Sequence, residues 1–427
     1  MNAAKALLIC LLFWASAAPA AGKPQADTRP VWDRLNDALF VRAASDDGEQ
    51  YGRAELDILF WSSTKHLLTS PSHERAIRVL DEFIRTRGER LIQDPLKRAL
   101  LQRNLWALFD WSAARPAWQY ARPGELAASA QLQRRLVTVI KRLALSAEEI
   151  DELPDNYAEA EAHLSDSLLP RGLFVADGAW LQVGRPDGTI APEHTSGFGG
   201  RSVFMVFVKF PDGREQAQRY LKTLGEFVPA LVYSDAMPFV AGKRKKPTLM
   251  TNPKTPQFPL DTQWALVRRL CLIDDLGHLH PTRLIESIQT RSYKSIPDVY
   301  GTFDAWRVAQ GVAEFHLDRE HAPALRAVTD GERDFQAVHF RSVGTDPFEI
   351  LSAAEWDRNR SGIRGETLRT CGMCHLAPGI FSVNSYGTFG MAAHPLDSST
   401  VERETEETLA WKSRQFDWGL LQGLWRQ

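Results

Sequence analysis

Val203-Phe204-Met205-Val206-Phe207-Val208 is a short run of β-branched, aromatic and long apolar residues, followed by the turn residues Pro211-Asp212-Gly213. A run of this length bounded by turn signals reads as a buried β-strand, and a helix is expected next, over residues 214–224. Downstream, residues 265–273 have the same character, and Asp274-Asp275-Leu276-Gly277 closes a hairpin onto residues 284–293. Further strands are expected at 312–317 and 335–340, and upstream at Leu173-Phe174-Val175-Ala176, with Pro186-Asp187-Gly188 as a turn. Residues 242–259 form a basic, Pro-rich loop. Residues 169–342 therefore read as a mainly antiparallel β domain with few helices.

Outward from this block the periodicity changes. Over residues 22–168 it is helical, with Leu96, Leu100, Leu101, Leu105 and Leu108 following Asp94-Pro95 at helical spacing. Ser70-Pro71 reads as a second helix start with Gly88 as its stop, and Ser146 with Glu149 fits a capping box. Trp106, Phe109 and Trp111 thicken the apolar faces, and five or six helices are expected in all. Residues 343–427 read as a short, irregular C-terminal segment rich in Gly, Ser, Arg and aromatics. The expected class is α+β, with no internal repeat of fixed period.

Composition narrows the options. The chain has 427 residues, 44% hydrophobic and 24% charged, which excludes wholesale disorder and suits two or three domains. A formal net charge of −2 gives no electrostatic case for nucleic acid. With 4 cysteines, a disulfide-built scaffold is also excluded. Residues 1–21 have the pattern of a signal peptide: Lys5, an apolar run from Ala6 to Ala17, then Ala18-Pro19-Ala20-Ala21. Cys10 falls inside that run. No later stretch is long enough to span a bilayer, so an exported, periplasmic protein without a transmembrane segment in its mature chain is expected.

One motif carries chemistry. Cys371-Gly372-Met373-Cys374-His375 is a C-x-x-C-H sequence. Two thiols at this spacing can form thioethers with the two vinyl groups of one haem, and the adjacent imidazole is then held against the iron. At this composition the pattern arises by chance roughly 0.001 times per chain. Over residues 366–395 the chain resembles the c-type cytochromes. The resemblance implies one covalent haem c on Cys371 and Cys374, with His375 as proximal iron ligand. It also has limits. Only 52 residues follow His375, too few for an ordinary cytochrome c domain, and Pro378-Gly379 opposes the continuous helix of the four-helix cytochromes. The haem is therefore expected to pack against the larger body.

Met391 is a candidate distal ligand, with His394 competing and Met205, Met237 and Met250 within reach from the β domain. An open sixth position is a further option. Arg358, Arg360, Arg364 and Arg369 could pair with propionates, and Phe381, Tyr386 and Phe389 could wall the ring. Alternatives for the cysteines are a reversible disulfide, or zinc shared with His278, His280 or Cys271. Cys271 otherwise reads as a buried strand residue, and Glu314, His316, Asp318 and His321 as a loose cluster on a solvated face.

The expected activity is that of an exported monohaem cytochrome exchanging electrons with an unidentified redox partner. A haem enzyme or gas sensor with an open iron site is the alternative, as is an envelope binding protein with an accessory haem. No G-x-S-x-G, H-E-x-x-H, Walker or dinucleotide-binding signature names another chemistry.

Overall fold

The structure is a computed structural model that describes residues 29–40, 42–43, 50–51, 66–68, 70–113, 123–165, 168–228, 231–233, 249–296, 309–317, 324–327, 375, 378–383 and 396–427. The expected signal peptide (1–21) and the expected strand at 335–340 lie outside these residues.

Six helices occupy the N-terminal part among the described residues: α1 (Val31–Phe40), α2 (Ser72–Thr86), α3 (Pro95–Ala113), α4 (Pro123–Leu143), α5 (Ala147–Asp151) and α6 (Asn156–His163). Local chemistry sets their ends. Asp94 accepts from the Leu96 amide at 2.9 Å where α3 opens on Pro95. The capping box before α5 is complete: the Ser146 hydroxyl accepts from the Glu149 amide at 3.1 Å, and Glu149 accepts from the Ser146 amide at 2.8 Å. Gly88 does not end α2 in the expected way. Arg87 takes the left-handed cap at φ 53°, and Gly88 is small for a different reason. A Cβ there would lie 2.6 Å from the Phe83 ring.

The strands are β1 (Arg42–Ala43), β2 (Gln50–Tyr51), β3 (Leu181–Gly184), β4 (Ser202–Lys209), β5 (Leu231–Tyr233), β6 (Leu249–Thr251), β7 (Gln263–Ile273), β8 (Leu279–Tyr293), β9 (Gln310–Leu317), β10 (Leu325–Ala327) and β11 (Asp397–Ser398). Seven of them form one sheet in the order β10-β9-β8-β7-β4-β3-β11, with antiparallel neighbours throughout. The run at 203–208 is a central strand, paired on one side with β3 and on the other with β7. The β7–β8 turn is built on Asp274, whose carboxylate accepts from the Leu276 and His278 amides at 3.0 and 2.7 Å.

Two more helices precede and follow β4, namely α7 (Pro192–Gly197) and α8 (Arg214–Glu226), the latter where it was expected. Leu173-Phe174-Val175-Ala176 is not a strand. Successive turns, Val175 N–H to Gly172 C=O at 3.3 Å and Gly178 N–H to Val175 C=O at 2.9 Å, fold it back on itself. The C-terminal segment also departs from an irregular tail, because it ends in α9 (Val401–Ser413) and α10 (Phe416–Trp425). No helix among the described residues is long and apolar enough to cross a membrane.

Strand alternation gives the sheet two faces of different use. Val203, Met205 and Phe207 point to a core shared with α1–α4 and with Trp418, Leu421 and Trp425 of α10. Phe204 and Val208 point the other way, to a second core with α8, Phe258, Trp264, Tyr293, Ile380 and Phe381. The residues just after the C-x-x-C-H motif are thus part of the β body, on the face away from the N-terminal helices.

Candidate functional site

Of the motif residues, His375 is described. Cys371 and Cys374 lie outside the described residues, as do Met391, His394, Tyr386, Phe389 and the four arginines at 358, 360, 364 and 369.

The His375 ring is fixed by the segment after it. Pro378 leads into a 3₁₀ turn, Gly379–Ser382. Gly379 has φ 53°, and a Cβ on it would sit 2.1 Å from Gln257 Oε1, so both conformation and space require glycine. That same Gln257 oxygen accepts from the Ile380 amide at 2.9 Å. The Ser382 hydroxyl donates to the Gly379 carbonyl at 2.6 Å and accepts from Tyr293, at the end of β8, at 2.6 Å. Ile380 and Phe381 are buried in the second core, where Phe381 takes the apolar role expected of it. So anchored, the Ser382 carbonyl accepts from His375 Nδ1 at 2.9 Å. A carbonyl cannot donate, so Nδ1 carries the proton and Nε2 keeps a bare lone pair. A backbone carbonyl on the far nitrogen is the usual device for orienting a metal-binding imidazole and raising its basicity.

A second imidazole faces the first. His194, on α7, has its ring centre 6.4 Å from that of His375, with the planes 27° apart. It packs against Phe204 of β4 at 5.4 Å. Two buried arginines lie on this face, Arg268 of β7 and Arg291 of β8. The Arg268 guanidinium sits 4.5 Å from the Phe198 ring centre and its Nε lies 3.4 Å from Glu286. Arg291 donates to Gln289 at 3.2 Å. Burial, with Arg291 and then Arg268 beside it, pushes His194 down to about 4. Burial and Arg291 likewise hold His375 well below the usual histidine range. Both rings are therefore neutral and able to donate a lone pair.

This donor set fits a haem: a bare Nε2 at the residue the motif designates, an apolar wall of Phe204, Phe198 and Phe381, and two guanidinium groups suited to pairing with carboxylates. The guanidinium groups come from the sheet, which sequence spacing did not single out.

Other sequence candidates fall elsewhere. Met205 is fully buried in the core on the opposite face and cannot reach His375. Met237 lies outside the described residues, and Met250 is described in backbone only, within β6. Cys271 is buried in the first core, its thiol pushed up to about 12 by burial. His278 and His280 are not gathered around it: His278 is exposed beside Asp274, and His280 lies 3.1 Å from Asp151. Among the described residues no group of three or more histidine, cysteine or acidic side chains could hold a metal ion. Glu314 differs from a solvated-face reading, since it is buried and His316 donates to it at 2.7 Å. His194 had no sequence signal, being a single histidine on a short helix far upstream of the motif.

No protein-family model matches the chain, and comparison with curated proteins and with solved structures gives no significant match.

Proposed function

We propose that this chain is an exported monohaem c-type cytochrome-like protein that exchanges electrons with a redox partner. Cys371 and Cys374 would hold haem c through thioethers, and His375 would ligate its iron through Nε2. The observation that carries the reading is the His375 Nδ1–H bond to the Ser382 carbonyl, which frees Nε2 at the one histidine the C-x-x-C-H spacing selects. Bound haem supplies a one-electron iron couple, which is what electron transfer needs.

The chain's own residues account for the rest. Tyr293, Ser382 and Gln257 fix the turn that aims His375. Phe204 packs against the His194 ring, and Phe381 and Ile380 are buried in the same core. Arg268 and Arg291, buried on the same face of the sheet, are the guanidinium groups that would pair with ring carboxylates. The signal-peptide pattern at 1–21 suits the compartment in which such haems are attached.

The test is expression with a haem-maturation system, followed by denaturing electrophoresis and intact-mass measurement. One covalent haem is expected on the wild type and none on a C371S/C374S double variant. A wild-type mass without porphyrin overturns the proposal.

A further inference from the structure

We infer that His194 is the second axial ligand of the haem iron, which makes the site bis-histidine with no open coordination position. This rests on the haem reading above and adds the identity of the sixth ligand.

The geometry carries it. Two imidazoles bonded to one metal from opposite sides, at about 2 Å per metal–nitrogen bond, have ring centres roughly 6 Å apart. The His194 and His375 ring centres are 6.4 Å apart and their planes differ by 27°. The same separation is the span that one metal ion would bridge. His375 is held by the Ser382 carbonyl at 2.9 Å, and His194 is held by α7, whose backbone bonds run from Thr195 to Ala191 and from Phe198 to His194, each at 2.8 Å.

The assignment has consequences that differ from the sequence candidates. Two imidazoles give a six-coordinate, low-spin iron with a lower potential than a histidine–methionine pair. They leave no vacancy for oxygen, peroxide or nitric oxide, so electron transfer is favoured over the sensor and enzyme alternatives.

The experiment uses the full chain matured with haem, with H194A, H194M and M391A beside the wild type. Haem content is first read as the pyridine haemochrome of the unfolded protein, which does not depend on axial ligands. The wild type should be low-spin in both oxidation states, lack the charge-transfer band of sulfur on ferric iron, and resist carbon monoxide. H194A should keep its haem, turn high-spin and bind carbon monoxide, and added imidazole should restore the low-spin spectrum. H194M, which fills the same space, should stay low-spin, acquire the sulfur–iron band and rise in potential. Full haem content with an unaltered low-spin spectrum in H194A overturns the assignment while leaving the haem reading intact. Loss of the low-spin spectrum in M391A, with H194A unchanged, also overturns it in favour of Met391. A wild type without haemochrome overturns both readings together.

Discussion

At His375 the residues after the motif decide which ring nitrogen carries the proton. Nδ1 is committed to Ser382, whose own position depends on Tyr293 and on the tight turn at Gly379. Gly379→Ala places a side chain at φ 53° and pushes Gln257 off the Ile380 amide. Left-handed strain and one lost buried hydrogen bond together cost about 2 kcal/mol, read as a fall in the urea midpoint. A double variant with Gln257→Ala should cost little more than Gly379→Ala alone, because the first change has already displaced the Gln257 oxygen. Additive costs would show that the two residues do not act through one turn.

Among the elements, the central strands and the N-terminal helices were readable because each carries its own period and punctuation. The 203–208 run, the Asp274–Gly277 turn and the Ser146–Glu149 box each state their structure within a few residues. His375 stands out as a candidate from spacing alone. What was missed depends on distant partners. His194 meets His375 across the fold, and Arg268 and Arg291 reach the site through strand pairing that no local pattern reveals. The segment at 173–176 has strand composition, but its backbone bonds close into turns. The helices α9 and α10 were overlooked although Thr400 caps α9 by accepting from the Arg403 amide at 3.3 Å. α10 is tied down by its aromatics: Trp418 is buried with its ring centre 6.0 Å from that of Trp106 in α3. Trp418→Ala should cost about 3–5 kcal/mol in chemical unfolding. A loss below about 1 kcal/mol, the range of surface changes, would mean that α10 is not part of the core.

The whole molecule is closed on the helical face of the sheet by a buried charge cluster that joins its two ends. Lys412 of α9, fully buried, donates to Asp110 of α3 at 2.7 Å and also to Asp417 of α10, while Arg201 donates to the same Asp110 oxygen. Lys412 lies 5.4 Å from the Trp106 ring centre. Lys412→Met leaves two carboxylates beside one guanidinium, and should destabilise by about 3–5 kcal/mol. The cluster also has a pH signature. Burial raises Asp110 from its ordinary 3.8 to about 6, with Lys412 and Arg201 opposing and Asp417 adding to the rise. Between these values the folded protein keeps a proton that the unfolded chain has released, so this contribution is complete below pH 3.8 and is lost as pH rises through about 6. Asp417 runs the other way: burial raises it, but Lys412 and the bond with Asp110 hold it below its ordinary value, so its contribution fades only in more acid solution. The informative quantity is the difference between wild type and Asp110→Asn, in which titrating groups outside the cluster cancel. Plotted from urea midpoints at pH 4, 5, 6 and 7, the stability of wild type relative to D110N should fall with rising pH and level off above about 6. A flat difference across that range would mean that Asp110 is ionised throughout, held so by Lys412 and Arg201 against its burial.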